Sequence, residues 1–136
     1  MIVKQIRLSQ QAKDQLIRVK ARTGIRNWNV LCRWALCLSL REKTIPADVE
    51  IPADSNVEMS WEVFGGEYEQ LYAGLIIQRC LEDGLPIDAP TLAKQFRLHL
   101  HRGISYLSSY DLLRTLEDLI SLVLDNDYEA ERGQSQ

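Results

Sequence analysis

The chain has no apolar run long enough to cross a bilayer. Its longest, Val30 to Leu40, is broken by Arg33 and falls far short of the ~20 residues that a membrane helix needs. A secretory signal is lacking too. Met1-Ile2-Val3-Lys4-Gln5-Ile6-Arg7 carries neither the apolar core nor the small-residue cleavage site of one, so a cytoplasmic protein is expected. Cysteine is scarce: Cys32, Cys37 and Cys80 form an odd set without a C-x-x-C pair, which excludes a disulfide framework and a zinc ribbon. Each stands in an apolar helical pattern and is expected to pack as a small hydrophobe. Cys80 as a carrier of persulfide sulfur would need an electropositive, accessible setting. The neighbours Arg79, Glu82 and Asp83 are mixed in sign.

Catalytic signatures are missing as well. There is no nucleophile elbow, phosphate loop or dinucleotide fingerprint. Gly65-Gly66 has no Gly-Lys-Ser/Thr downstream and reads as a structural turn. His99 and His101 are two residues apart, so a helix places them on different faces, where they cannot share a metal as an i, i+4 pair can. They are expected as surface or core histidines. The acids Glu67, Glu69, Glu82 and Asp83, like Glu117 and Asp118, read as solvated helix faces. No catalytic residue, metal or cofactor is expected.

What is present suits one soluble domain. The 136 residues are 46% hydrophobic and 26% charged, enough for a single sizeable core. The net charge of −3 conceals a division. Residues 1–43 hold ten Lys/Arg against Asp14 and Glu42, a net of +8, whereas the remainder holds six basic and seventeen acidic residues, a net of −11. Such asymmetry separates an end that faces a polyanion from one that faces solvent or a partner protein.

The basic end has a definite order. Ile2, Ile6 and Leu8 alternate with Val3, Gln5 and Arg7 as a half-buried strand would, apart from Lys4 on the apolar face. Ser9 is an N-cap for a helix beginning at Gln10, with Ala12, Leu16, Val19 and Thr23 on one stripe. Gly24 suits the left-handed residue that ends it, and Ile25 the contact beyond. Asn27 or Asn29 caps a second helix to about Arg41, whose stripe is Val30, Leu31, Trp34, Ala35 and Leu38. Residues 44–66 read as an extended connector, in which Ile-Pro-Ala-Asp occurs twice and proline keeps the chain out of helix. Within it, Val57 to Phe64 alternates like a short strand or arm. Three helices are then expected: Glu67 to Asp83 (Leu71, Leu75, Ile76, Leu81), Ala89 or Pro90 to about Gly103 (Leu92, Phe96, Leu100), and Asp111 to about Asp125. A loose tail follows over 126–136.

The fold class expected is therefore mainly α, a ribbon-helix-helix-like start followed by a helical half in a single domain. In ribbon-helix-helix proteins two chains pair their first strands into a ribbon that enters the major groove. Gln5 and Arg7 would point outward from it. The start of the second helix would aim free N–H groups at phosphate. The candidate DNA-binding residues are Lys4, Gln5, Arg7, Lys13, Lys20, Arg22, Gly24, Arg26 and Asn27.

Three segments together carry a family resemblance: Ile6-Arg7-Leu8-Ser9 through Thr23-Gly24-Ile25, Trp61-Glu62-Val63-Phe64-Gly65-Gly66-Glu67-Tyr68, and Leu98-His99-Leu100-His101-Arg102-Gly103-Ile104. From about Val3 to Leu124 the chain resembles the DndE family of the bacterial machinery that installs sulfur in the DNA backbone. The resemblance implies a non-enzymatic subunit that binds duplex DNA, with affinity for nicks, and associates as a homotetramer. It further implies work alongside a cysteine desulfurase, an ATP-dependent sulfur-transfer enzyme and an iron-sulfur or nucleotide-hydrolysing partner, which replace a non-bridging phosphate oxygen by sulfur. Two other readings stand beside it. One is a ribbon-helix-helix transcriptional regulator reading bases with Gln5 and Arg7; the other is a sulfur relay through Cys80.

Overall fold

A computed structural model of the chain describes residues 1–109 and Arg114. The helix expected from Asp111, with the subunit contact it would make, and the loose tail lie outside these residues, Arg114 excepted. Helix α1 spans Gln10–Thr23 as its local signals require. The Ser9 hydroxyl accepts the Ala12 N–H at 3.0 Å. At the other end Gly24 has φ 74°, and its N–H returns to the Lys20 carbonyl at 2.9 Å, a left-handed cap that costs glycine little. Ala12, Leu16 and Val19 are buried and Ile25 packs beside them.

Helix α2, Trp28–Arg41, buries Leu31, Cys32, Ala35, Leu36 and Ser39. Trp34, expected in the stripe, is 41% exposed, and Cys37 is also exposed rather than packed. The buried face is turned because it must meet α5 (Ala89–Leu107). That helix starts where expected, on an Asp88 carboxylate that accepts the Thr91 N–H at 2.8 Å. It runs a turn past Gly103, which is no terminator: a Cβ there would fall onto the Ala35 carbonyl. Glycine is what lets the two backbones touch.

Strand β1 (Gln5–Arg7) takes its partner from its own chain, where the ribbon-helix-helix comparison places a second copy. It pairs antiparallel with β2 (Glu58–Ser60), Gln5 opposite Ser60 and Arg7 opposite Glu58. The strand expected to continue to Phe64 stops at Ser60, whose hydroxyl caps a short helix α3 (Trp61–Gly65) by accepting the Val63 N–H at 3.1 Å. Helical spacing brings Trp61 and Phe64, three residues apart, onto one side, where both meet Phe96 with ring centroids 5.2–5.3 Å apart. That aromatic cluster outweighs the alternation. A 3-10 turn (Gly66–Tyr68) leads into α4 (Glu69–Glu82), which ends before Gly84 at φ 70°. On α4 Ile76 and Cys80 face the core, but Leu71 (58% exposed), Leu75 and Leu81 face outward. The leucine periodicity marked an apolar face that no described element covers. Among the described residues no helix is long and apolar enough to cross a membrane.

Three arginines tie the connector down. Arg97 donates to the carbonyls of Arg7 (2.7 Å), Ile51 (3.1 Å) and Pro52 (2.9 Å). Arg79 reaches the Leu40 and Thr44 carbonyls, each at 2.8 Å, while Arg102 reaches those of Ser39 and Thr44, each at 2.9 Å. Carbonyls at a helix C-terminus lack intrahelical partners and carry partial negative charge, so cations satisfy both needs at the end of α2. Asp83, read as solvated, is instead half-buried and pairs with Arg79 at 3.0 Å.

Candidate nucleic-acid interface

The α1–α2 turn and the segment entering β2 form one basic surface. Lys13 and Lys20 lie on the same flank of α1, one stripe round from the buried Ala12–Leu16–Val19 face, as their seven-residue spacing dictates. Lys13 Nζ bonds the Asn56 side-chain oxygen at 2.7 Å. Lys20 Nζ stands over the Trp28 ring, 3.4 Å from its centroid, a cation–π contact; burial lowers its pKa from the ordinary lysine value. Arg26, Asn27 and Trp28 line a shallow cleft of about 300 Å³ with Glu58 and Val63. Gly24 is exposed, and a Cβ added to it would meet nothing within 4 Å. The turn projects freely.

Asn27 occupies the N-cap position of α2, but its side chain makes no capping bond. Asn29 does part of that work, its Oδ1 accepting the Val30 N–H at 3.0 Å. No acidic residue occupies the first turn of α2. The positive end of the helix thus faces outward beside Arg26, as an anion-contacting helix start does.

The ribbon behaves differently. Gln5 and Arg7 point outward as expected, yet Arg7 is engaged: Nη2 pairs with Glu58 at 2.8 Å and Nη1 bonds the Ser55 carbonyl at 3.1 Å. Antiparallel pairing puts Glu58 opposite Arg7 on the same sheet face, so an acidic group stands where a base edge would have to come. Lys4 is exposed just before β1, while Gln5 also borders a second cleft against α5. Arg22, exposed in the last turn of α1, lies on the flank of that helix opposite Lys13 and Lys20. Of the nine candidates, Arg7, Lys13, Lys20, Gly24, Arg26 and Asn27 come together; Lys4, Gln5 and Arg22 stand at the margins. Trp28, Asn56 and Glu58 belong to the surface and were not foreseen, since only the connector's path brings residues 56–58 against the turn.

The groups that could have carried other chemistry are enclosed. Cys80 is buried, and burial, with Asp83, pushes its thiol up against a weaker pull from Arg79, the reverse of what a reactive thiolate needs. His99 shares a 2.8 Å bond with the Ser39 hydroxyl. Burial, reinforced by Arg79 and Arg102, lowers its pKa to about 4. His101 Nε2 accepts the Ser9 N–H at 3.2 Å and its Nδ1 bonds the Arg97 carbonyl at 3.0 Å; burial lowers it to about 4 as well. Both rings serve packing between elements.

The family model described as DndE, DNA sulphur modification protein DndE, matches residues 5–115. No curated protein matches significantly. A crystal structure of DndE from Escherichia coli B7A, involved in DNA phosphorothioation modification, is similar with a TM-score of 0.66 at 23% identity, covering 79% of this chain and 98% of that one. A crystal structure of a DndE mutant involved in DNA phosphorothioation gives a TM-score of 0.59 at 19% identity, covering 77% and 98%. At these identities the structural likeness is one of fold.

Proposed function

This chain belongs to the DndE family of DNA sulphur modification proteins, and on that premise we propose that it is the non-enzymatic DNA-binding subunit of a DNA phosphorothioation system. In this reading it holds duplex DNA while a separate sulfur-transfer enzyme and an iron-sulfur or nucleotide-hydrolysing partner carry out the exchange of oxygen for sulfur. The observation that carries the reading is the projecting α1–α2 turn, where Gly24 leaves space, Lys13, Lys20 and Arg26 supply charge, and the start of α2 offers N–H groups. These contacts suit phosphate rather than bases. A nick would favour binding, because a broken backbone bends toward a projecting turn at less deformation cost than an intact one. Self-association as a tetramer in the cytoplasm completes the proposal. Outward Trp34, Leu71 and Leu75 are the kind of apolar surface that subunit contacts bury. The engaged Arg7 weighs against a base-reading regulator.

A binding titration on intact, nicked and single-stranded DNA over a range of salt tests it. With about five phosphates contacted, log affinity for duplex should fall against log salt with a slope of roughly −4 to −5, and nicked duplex should bind more tightly than intact at every salt concentration. A flat salt response would overturn the electrostatic reading.

A further inference from the structure

Two lysines on one flank of α1 are held by neutral partners from distant parts of the chain. Lys13 and Lys20 stand about 10.5 Å apart along the helix axis. Both are half-buried, whereas Arg18 between them is exposed. An unheld lysine samples many rotamers, and fixing it on a ligand lowers affinity. Here the fixing precedes the ligand. Lys13 Nζ donates to the Asn56 side-chain oxygen at 2.7 Å, and Lys20 Nζ lies 3.4 Å from the centre of the Trp28 ring.

The holders are themselves anchored. Asn56 follows Ser55, whose N–H and hydroxyl both donate to the Leu8 carbonyl (3.2 and 2.6 Å), and precedes Val57, whose carbonyl accepts the Leu8 N–H at 3.0 Å. Ser55 and Val57 are buried, so the exposed Asn56 sits on a corner tied down on both sides. Trp28 is the first residue of α2, half-buried and packed against the core. Neither holder is charged. An amide oxygen or an indole face orients an ammonium group and leaves its positive charge and its other N–H donors to a further ligand. Arg7 shows the opposite arrangement, since the Glu58 carboxylate that orients it also offsets its charge. Among the described residues neither lysine is paired with a carboxylate.

We propose that Trp28 and Asn56 are positioning residues for DNA, holding Lys20 and Lys13 at a fixed spacing so that backbone phosphates meet ammonium groups already ordered by the fold. The proposal rests on the reading of the α1–α2 turn as a DNA surface. To that surface it adds two uncharged residues that no count of cations would find. A lysine that has lost its holder still binds through its charge, so affinity falls while the number of phosphates engaged stays the same. Loss of the lysine lowers both.

The test is a set of titrations of the full chain with labelled duplex DNA over a range of salt. Lys13→Ala and Lys20→Ala should each weaken binding and reduce the salt slope by about one. Asn56→Ala and Trp28→Leu should each weaken it roughly three- to tenfold, the scale of ordering one long side chain, with the slope unchanged. In the Lys13→Ala background Asn56→Ala should bring no further loss, nor should Trp28→Leu in the Lys20→Ala background, a pattern that general damage to the fold does not produce. Trp28→Phe keeps a ring under the ammonium and should recover most of what Trp28→Leu loses. Asn56 is exposed and has no left-handed backbone strain, so Asn56→Ala tests the proposal on a folded protein whatever Trp28→Leu does to stability. Weakened lysine variants beside holder variants that bind like wild type overturn the positioning and leave the DNA surface standing. Lysine variants that bind like wild type overturn the DNA surface and the positioning with it. Additive losses in the double variants, or a slope reduced by Asn56→Ala, also overturn the proposal.

Discussion

The cations of the first 43 residues and the arginines of α4 and α5 share a chemistry but not a fate. Lys4, Arg18 and Arg26 stand exposed at the surface, whereas Arg79, Arg97 and Arg102 reach carbonyls of segments 35 to 90 residues away. A guanidinium presents a rigid fork of donors, equally suited to phosphate or to converging carbonyls. What decides is whether the fold offers the second. Around the connector it does, because a chain without regular structure leaves its carbonyls unpaired and buried groups must find partners. Around the α1–α2 turn the helices satisfy themselves, and the positive charge is left for a ligand.

That contrast can be attacked at its strongest point first. Gly103→Ala drives a methyl group into the Ala35 carbonyl and should unfold the chain or cost more than about 4 kcal/mol, read as a collapse of the urea midpoint; a stable variant would mean that α2 and α5 do not cross as described. Arg79→Met keeps the apolar stem but strands the Leu40 carbonyl and Asp83, and leaves the Thr44 carbonyl to Arg102 alone. It should cost about 3 kcal/mol, the scale of a broken buried pair. A near-neutral result would show that the arginine is no staple.

Acid should loosen the same half of the molecule. His99 and His101 titrate near 4 when folded against 6.5 ordinarily, so between those values the unfolded chain binds more protons. Their stabilisation is fully present above about pH 6.5 and is lost as pH falls toward 4. The loss is on the order of 3 kcal/mol, the scale of the His99 shift alone, since the contribution of the partly solvated His101 is discounted. Melting temperature followed across that range should decline, and His99→Gln should flatten the decline. At the turn the effects on stability are smallest. Gly24→Ala should cost about 1 kcal/mol for its left-handed backbone. Arg26→Ala should stay within about 0.5 kcal/mol yet weaken duplex DNA regardless of sequence. An Arg26→Ala variant that binds nicked duplex like wild type at low salt moves the DNA surface elsewhere.

Much of the basic half was legible because its signals are local. Ser9, Gly24 and the Ala12–Leu16–Val19 stripe act within one helix, and no distant residue can overrule them cheaply. The same holds for the start of α5 at Ala89. What could not be read depends on what an element meets. Trp34 and Leu71 follow helical periodicity and yet face outward, since periodicity states that a face exists and not what covers it. Trp61 and Phe64 fit a strand and a helical turn alike until Phe96 stands opposite. In the candidate site the charge of residues 1–43 and the exposed turn were apparent, but the pairing of Arg7 with Glu58 spans 51 residues, beyond the reach of any local pattern.

Arg97 holding the Arg7 carbonyl across 90 residues of chain has a consequence for the order in which the protein is made. β1 is synthesised before its partner strand, which follows some fifty residues later, and before its arginine, which comes later still. Loop-closure entropy defers such contacts until local helices have formed. Strand β1 is thus among the last of the described elements to take its final shape. A fragment ending near residue 43 would strip β1 of its partner strand and of Arg97, so the basic motif cannot be transplanted as a short module. It works only as the closing piece of the whole chain.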